Sequence, residues 1–504
     1  MKESGTHGTL VVIAIAIFVS ALVMGPRWTK YRSRMAKLDA LPTVGHDSRL
    51  FSYVSALRNL ARLNTVIKEG YEKYPGRAFK VSLPDKWLVV VSGPDMLDDV
   101  RKASDEQLSL REAFQDILHS EMMFGKQTRR DPYHVDVIKN ILTRSIAPKF
   151  DDMYEELATA FDEEIPKTRE WTQVPVLKRL LPVVCRISNR VFVGLPLCRN
   201  KDWVALNVDY TTHVFTAIRT LGVLPKFIQP VVGWFISPLP ASFLRASKHL
   251  RHMIIERLEA EDKGYSDAPD DLLTWFVQEA EGVEERLKPE TLIRRMLNAN
   301  FAAVHTTSNE FTNALVNLVI HPEYIEPLRE EIERIIQHDG WTKAAMGKMQ
   351  KLDSFLRESQ RVSSSTAFGV FRKTLEDFTF SNGIVIPAGT FMSTAPYASH
   401  FDENNYPNAY KFDGFRFSRL REKEGEGHKH QMVVADRSHL NFGIGKHACP
   451  GRFFAVNELK ALMSHVLLNY DIKLDDDNLS SKGDVFSPGA FRQTEVWFRK
   501  REVA

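Results

Sequence analysis

A lone cysteine in a glycine-rich loop carries the clearest chemical signal in the sequence. Residues 442–452 read Phe-Gly-Ile-Gly-Lys-His-Ala-Cys-Pro-Gly-Arg, and an apolar, helix-like run follows at 453–468. Glycines allow a tight turn and a close approach to a flat ligand, and a helix beginning just after Cys449 leaves unpaired N–H groups near its sulfur. Such groups lower the pKa of a thiol. A thiolate held in this way is suited to be the axial ligand of a haem iron.

Two other interpretations of Cys449 stay open on these residues alone. A single cysteine among glycines is often only a small buried residue in a turn. Cys449 would also suit a nucleophile that uses His439 or His447 as its base. The only other cysteines are Cys185 and Cys198, and three cysteines cannot build a disulfide framework, which fits a reducing compartment.

The cysteine segment as a whole resembles the haem-binding signature of the cytochrome P450 family, FxxGxxxCxG, which begins here at Phe442. The resemblance implies haem b as the cofactor and Cys449 as the ligand of its iron. It also implies that Phe442 belongs to the cofactor-binding loop. His447, two residues before the cysteine, occupies a position at which the family binds a haem propionate.

Residues 289–320 predict one long helix. Proline at position 289 suits a first helical turn, and His321-Pro322 ends the pattern. The middle of this helix, Phe-Ala-Ala-Val-His-Thr-Thr at 301–307, resembles the oxygen-activation segment of the family, (A/G)Gx(D/E)T. Thr306 takes the position of the family threonine, whose hydroxyl can compete for a carbonyl one turn back and open the helix locally. The alternative for such an Ala/Thr-rich centre is tight packing alone.

His305 departs from the family pattern, which usually has an acid at this position. A histidine with an unperturbed pKa of ~6.5 can still relay protons. It can equally point away from the pocket and only pack. The His-Thr-Thr variant resembles many fungal members of the family.

Three further residues match the family's structural core. Glu358 and Arg361 lie at i and i+3 of a helix predicted at 353–362, as in the ExxR motif. Arg416, in the segment 412–417, resembles the third member. A buried carboxylate bridged by two guanidinium groups is costly unless it is fully paired. The predicted purpose of these residues is to fix the cysteine loop.

Basic side chains are also expected at the haem propionates. In the family, the helix predicted here at 134–147 carries a tryptophan and an arginine for this purpose, but this sequence lacks the tryptophan. His134, Lys139 and Arg144 are the available donors on it. Arg372 sits where the family places another arginine that binds a propionate. A cation facing a propionate is chemically sensible.

The resemblance runs from about residue 41 to the C-terminus and implies a mainly α fold with a small β-rich region, the cytochrome P450 fold. A loop-like stretch at 110–125 either roofs the haem pocket, by family analogy, or is ordinary core. Short strands are predicted at 79–83, 87–92, 370–374, 378–380 and 384–386.

The N-terminus predicts a membrane anchor. Residues 10–24 are an almost uninterrupted apolar run, and 9–25 just reach the length that spans a bilayer. A cleaved signal peptide is the rival interpretation. Basic residues follow the run, which favours an anchor with the catalytic body in the cytosol. We therefore predict a transmembrane anchor at 1–25, a basic, proline-containing linker at 26–45 and a catalytic domain at 46–504.

The location predicted from these features is the endoplasmic reticulum membrane, crossed once. A sequon at Asn478 then stays unmodified because it faces the cytosol. The apolar, proline-broken stretch 224–243 suits a loop that dips into the bilayer, or else a buried connection between helices. The net charge of +3 gives no reason to expect nucleic acid as a partner.

The reaction implied by the resemblance is monooxygenation with O₂ and with electrons from NADPH through a membrane-bound reductase. The expected substrate is lipophilic, and the fungal likeness suggests a terpenoid or another secondary metabolite. A haem-thiolate isomerase or dehydratase is one alternative, which Thr306 disfavours. A non-enzymatic haem-binding protein is the other, for which the long helix would be surplus.

Overall fold

The computed structural model describes residues 29, 31–45, 52–262, 268–363, 368–475 and 494–502. The predicted anchor at 1–25 and Asn478 lie outside these residues. Over the described ranges, no helix combines the length and the apolar character that crossing a bilayer requires.

The described chain is mainly helical with small sheets, as predicted. Residues 31–39 are helical, and a π-helical segment spans Ile138–Leu142. Short 3-10 turns lie at Leu197–Arg199, Pro322–Tyr324 and Gly445–His447. The α-helices are, in chain order, Ser52–Ala61, Leu63–Lys73, Pro94–Lys102, Leu110–Leu118, Ser120–Phe124, Lys126–Arg130, Tyr133–Val137, Thr143–Ser145, Phe150–Glu164, Val176–Phe192, Lys201–Gly222, Gln229–Ile236, Leu239–Asp262, Leu272–Gln278, Glu284–Leu287, Pro289–Ile320, Ile325–Asp339, Lys343–Lys348, Gln350–Val362, Pro396–His400, Arg416–Arg421 and Arg452–Asn469.

The chain divides into two compact units. The first comprises the described residues up to Ala113 together with Phe371–Thr394. Its main sheet has five strands, and the first two pair as an antiparallel hairpin with Phe79 opposite Val90. These two strands are buried almost throughout, so the hydrophobic effect holds them on both faces. The strands of this sheet are, in spatial order, Ala78–Ser82, Trp87–Val91, Phe391–Thr394, Gly369–Thr374 and Leu108–Ser109.

A separate two-stranded hairpin, Phe378–Thr379 with Val385–Ile386, also follows the prediction. Gly383 closes its turn at φ 81°, a conformation that glycine adopts without strain.

The second unit comprises Phe114–Val370 and Ala395 onwards. Its organising element is the helix Pro289–Ile320, here called the central helix, whose bounds match the prediction. It is buried along most of its length, because other helices surround it. Its neighbours include Val176–Phe192, Lys201–Gly222, Leu239–Asp262, Gln350–Val362 and Arg452–Asn469. A three-stranded sheet, Thr172–Pro175, Glu495–Lys500 and Tyr470–Lys473, completes this unit.

Two stretches that were predicted to be loops contain helices instead. The stretch 110–125 is helical, Leu110–Leu118 and Ser120–Phe124, with a break at His119, whose φ is 48°. The stretch 224–243 contains the short helix Gln229–Ile236, which begins with a proline in its first turn, a position where proline costs no hydrogen bond. In both stretches, chain breakers mark the ends of short helices.

Candidate active site

The cysteine loop, residues 442–451, is a tight turn closed by its own backbone. The Cys449 N–H donates to the carbonyl of Phe442 at 2.7 Å, and the Ala448 N–H donates to Gly445 at 3.1 Å. Gly443 has φ 77°, and a Cβ there would lie 3.3 Å from the carbonyl oxygen of His447. Glycine is therefore required for the loop to fold back on itself.

The pKa of the Cys449 thiol departs from the prediction, because it is raised and not lowered. Burial raises its pKa, while the N–H groups of Gly451 and Arg452 and the charge of Arg452 act to lower it. Protein surrounds the residue, yet its side chain is exposed. Cys449 is therefore accessible, whereas Cys185 and Cys198 are buried.

The centre of the central helix is open on one side. Ala302 and Thr306, one turn apart, are exposed in the middle of an otherwise buried helix. The Thr306 hydroxyl donates to the carbonyl of Ala302 at 2.6 Å and also lies 3.3 Å from that of Ala303. This is the competition for a helix carbonyl that the sequence predicted.

His305 points toward the helix Lys201–Gly222. Its Nε2 lies 3.3 Å from the carbonyl oxygen of Val208 and 3.4 Å from the hydroxyl of Thr212. Its own carbonyl accepts from the Asn309 amide at 2.6 Å. Of the two roles left open for His305, these contacts favour packing, and the proton relay stays a prediction.

The residues present fit a haem. One thiol is accessible, its loop turns tightly at Gly443, and the central helix offers a small residue and a hydroxyl on its open side. Among the described residues, no cluster of three or more His, Cys, Asp or Glu could hold a bare metal ion. Cys449 would hold the iron, which a single protein ligand suffices to anchor when a porphyrin supplies the other donors.

Glu358, Arg361 and Arg416 lie together in the second unit. Arg361 donates to both carboxylate oxygens of Glu358, from Nε and Nη2, each at 2.8 Å. Arg416 Nε lies 3.2 Å from Glu358 Oε2, and the Asp413 N–H donates to Oε1 at 3.0 Å. The side chains of Glu358 and Arg361 are fully buried, so the ion pair is satisfied as its burial requires.

His134 is not available to a propionate, contrary to the prediction. Its Nδ1 lies 2.9 Å from Arg295 Nη1 and its Nε2 lies 3.0 Å from the amide of Asn298. Burial, and then the charge of Arg295, lower its pKa to about 3, so the ring is neutral. Lys139, on the π-helical segment, is exposed.

Arg372 is buried in the first unit, where its Nη1 donates to the carbonyl of Phe371 at 2.7 Å. Burial lowers its pKa to about 10. A propionate is one partner that would offset the cost of burying the Arg372 guanidinium. In the second unit, His447 is half-buried, and Phe442 packs against the hydrophobic core.

The nucleophile interpretation of Cys449 finds no support at His439. This ring is fully buried, and its Nε2 lies 3.0 Å from Gln360 Oε1. Burial lowers its pKa well below the usual range. The contact between Gln360 and His439 was missed from the sequence. Gln360 is a polar residue in the middle of ExxR, and a polar side chain in a buried helix is the signal that would have found it.

His465, on the helix that follows the cysteine loop, predicts an acid limit to stability. Neither ring nitrogen has a hydrogen-bond partner among the described residues, and the rings of Tyr154, Phe161 and Tyr470 surround it. Burial lowers its pKa to about 4. As pH falls below ~6.5, His465 therefore takes up a proton in the unfolded chain but stays neutral in the folded chain. The free energy of unfolding decreases until the pH reaches about 4, where the folded chain is protonated as well.

We expect His465→Phe to reduce the loss of stability between pH ~6.5 and about 4. The cost of the neutral ring is about 2 kcal/mol at pH 5, from ~1.4 kcal/mol per pH unit below ~6.5. Urea unfolding at pH 7.5 and pH 5 measures the effect: the variant should lose about 2 kcal/mol less than the wild type between the two. His338→Phe is the matched control, since that ring is largely exposed. Equal losses in both variants would show that His465 does not carry the effect.

Comparison with known proteins finds relatives along almost the whole chain. The family model described as Cytochrome P450 matches residues 50–488. Cytochrome P450 monooxygenase 103 of Postia placenta is 39% identical over 503 residues, covering 98% of this chain and 99% of that protein. Cytochrome P450 monooxygenase CYP512U6 of Ganoderma lucidum is 36% identical over 446 residues, 87% of each chain. Cytochrome P450 monooxygenase olcJ of Penicillium canescens is 35% identical over 438 residues, covering 84% of this chain and 80% of that protein.

The match spans the cysteine loop, the central helix and the Glu358–Arg361–Arg416 cluster in a single alignment. Together with the geometry of these elements, it shows that this chain belongs to the cytochrome P450 family of haem-binding monooxygenases.

Proposed function

We propose that this monooxygenase inserts one oxygen atom of O₂ into a lipophilic substrate, most simply a terpenoid or another fungal secondary metabolite, with electrons from NADPH delivered by a reductase. The observation that carries the proposal is the Cys449 thiol, which is accessible and lies near the N–H groups of Gly451 and Arg452. The fungal relatives support the metabolite class.

Haem b, when bound, supplies the oxygen activation. Cys449 would hold its iron as a thiolate, stabilised by the N–H groups of Gly451 and Arg452 and by the Arg452 guanidinium. Thr306 donates its proton to the carbonyl of Ala302, so its oxygen is free to accept from a water molecule on the open side of the helix. Phe301, beside Ala302, contacts the rings of Phe124 and Phe215 and helps to keep water out.

The experiment that tests this function is reconstitution with an NADPH-dependent reductase, labelled O₂ and a set of terpenoid and other lipophilic candidates. We expect one labelled oxygen atom in the product for each NADPH used productively. A product without the label, formed in the absence of NADPH, would instead show an isomerase or a dehydratase. Haem binding without any turnover across the set would favour a carrier.

Thr306→Ala should uncouple NADPH use from product formation. The hydroxyl is the proton-holding group on the open side of the central helix, and such groups contribute about 10²–10⁴-fold to a step. We expect product per NADPH to fall on the order of tenfold, with peroxide formed instead. Thr312→Ala is the control, because Thr312 makes the same kind of hydrogen bond farther along the helix, to the carbonyl of Ser308 at 2.7 Å, but is buried. Unchanged coupling in Thr306→Ala would remove Thr306 from the site.

We further propose that the protein is bound to the endoplasmic reticulum membrane by an anchor at 1–25, with the body in the cytosol. A second contact is supported by an apolar surface on the segment 224–243. Four large side chains there are 63–80% exposed, although aromatic rings of this size are usually covered. They are Phe227, Val231, Trp234 and Phe235. A bilayer beside the pocket would deliver a lipophilic substrate.

The double variant Trp234→Ser/Phe235→Ser should weaken vesicle binding of the chain lacking residues 1–25. Burying each ring contributes about 1.5–3 kcal/mol, so partitioning into phosphatidylcholine vesicles should fall by at least about tenfold. Leu195→Ser is the control, since Leu195 is 45% exposed in another part of the second unit. If the double variant binds as tightly as the control in sedimentation, this surface is not the membrane contact.

A further inference from the structure

The hydrogen bonds of the buried Glu358 cluster do not reach the cysteine loop. Arg361 Nη1 donates to the carbonyls of His400 at 2.6 Å and of Ala409 at 2.8 Å. Arg416 donates to Pro407 at 2.7 Å and to Lys411 at 3.1 Å. All of these acceptors precede the cysteine by 38 residues or more in the chain. Other hydrogen bonds must therefore connect the cluster to residues 442–451 and fix their position.

Gln360, inside the ExxR sequence, supplies the first of these contacts. Its Oε1 lies 3.0 Å from His439 Nε2. Because an amide oxygen only accepts, His439 carries its proton on Nε2. The backbone carbonyl of Gln360 accepts from the Asn441 amide at 2.8 Å. Gln360 thus binds both ends of the segment 439–441, here called the strap, which directly precedes the cysteine loop.

His400 supplies the second connection. Its Nδ1 lies 3.2 Å from the carbonyl of Arg361, and its Nε2 accepts from the N–H of Leu440 at 3.3 Å. The two partners require the proton on Nδ1, because a carbonyl accepts and an N–H donates. One imidazole therefore joins the ExxR helix to the middle of the strap.

The strap in turn closes on the cysteine loop. The Leu440 carbonyl accepts from the N–H of Gly443 at 2.9 Å, and the carbonyl of Phe442, the residue before Gly443, accepts from the N–H of Cys449. Hydrogen bonds consequently run without interruption from Arg361 through His400 and Leu440 to the loop.

The side chains that connect the ExxR helix to the strap are buried, which restricts them to one arrangement. His400 and His439 are fully buried, Gln360 is 4% exposed, and the two imidazoles stack with centroids 5.2 Å apart. In such surroundings an amide or imidazole that loses its partner has no water to replace it. Alternative positions of the strap are therefore costly.

We propose that Gln360, His400 and His439 are positioning residues for Cys449, which carry the alignment of the Glu358–Arg361 pair through the strap to the cysteine loop. The inference rests on the proposed role of Cys449 as the iron ligand. None of the three touches the reacting atoms.

The test compares His439→Gln with His439→Asn in the haem-loaded, full-length protein. Glutamine places its amide nitrogen near the position of Nε2 and can still donate to Gln360, whereas asparagine is one methylene too short. Gln360→Met removes the acceptor at similar volume, and Gln350→Met is the control at an exposed position of the same helix. Hydrogen exchange of the peptides that cover 439–449 and the ferrous–CO spectrum are measured, with exchange of the central helix as the internal reference.

We expect exchange at 439–449 to rise on the order of tenfold in His439→Asn and Gln360→Met, with the central helix unchanged, because the loss is local. Both variants should convert part of the thiolate Soret band to the shorter-wavelength form, and His439→Gln should keep wild-type behaviour. Equal exchange in all variants, or a rise shared by the central helix, would overturn the proposal. A wild-type protein without the thiolate band would instead refute Cys449 as the ligand. The exchange data would still show whether Gln360 and His439 hold the strap and the cysteine loop in place.

Discussion

Cys449→Ala is expected to abolish the red-shifted Soret band of the ferrous–CO complex together with all NADPH-dependent oxygenation. The thiol is accessible in the cysteine loop, and the N–H groups of Gly451 and Arg452 lie where they stabilise a thiolate. Alanine leaves these groups and the loop in place but removes the ligand. The loss should therefore be complete in function while the fold survives.

The spectrum of purified protein, reduced and exposed to CO, measures this directly. Cys198→Ala is the matched control, because Cys198 is a buried thiol whose pKa burial raises to about 11, so it is protonated and packed. That variant should keep the thiolate band. Circular dichroism of both variants separates a lost ligand from a lost fold. A normal thiolate spectrum in Cys449→Ala would refute the ligand assignment.

The elements of the site that could be predicted from sequence are those fixed by local chemistry. Pro289 and the pair His321-Pro322 mark the ends of the central helix, because proline suits only the first turn and the residue before it leaves the helical region. The bounds were therefore predicted without knowledge of the packing. The turn of the cysteine loop depends in the same way on its glycines, as the φ of Gly443 shows.

What the sequence could not give is the direction in which a polar side chain points. His134 and His305 both suited roles at a haem, but each contacts a neighbouring helix instead. His134 lies within hydrogen-bond distance of Arg295 and Asn298, and His305 lies within hydrogen-bond distance of Val208. These partners are 90 or more residues away in the chain. Only tertiary packing decides between such contacts and the pocket, and the i, i+3 and i+4 pattern carries no information on it.

The segment 134–147 shows a second limit. Its pattern predicts one helix, and the structure has α-helix, then the π-helical segment Ile138–Leu142, then α-helix again. A π segment adds one residue to a turn and so shifts every later side chain around the axis. The position of Lys139 around the helix axis relative to His134 therefore could not be predicted from the regular α-helical period.

Arg361→Met is expected to destabilise the fold by about 3–5 kcal/mol. Removing the guanidinium leaves the Glu358 carboxylate, which is fully buried, with Arg416 as its remaining cation, and it orphans the carbonyls of His400 and Ala409. An uncompensated buried charge costs several kcal/mol, far more than an exposed pair contributes. Because the cost falls on the second unit, haem retention should fall with stability.

A double-mutant cycle with Glu358→Leu separates the ion pair from its carbonyl contacts. If the pair is the main term, Glu358→Leu/Arg361→Met should cost clearly less than the sum of the single variants, since no carboxylate then remains buried without Arg361. Glu285 and Lys288 provide the control, an acid and a base at the same spacing that are 46–49% exposed. Lys288→Met should leave the free energy of urea unfolding almost unchanged, because the pair is screened by solvent. Additive single variants would mean that Arg361 acts mainly through the carbonyls of His400 and Ala409, the same region from which His400 reaches the strap.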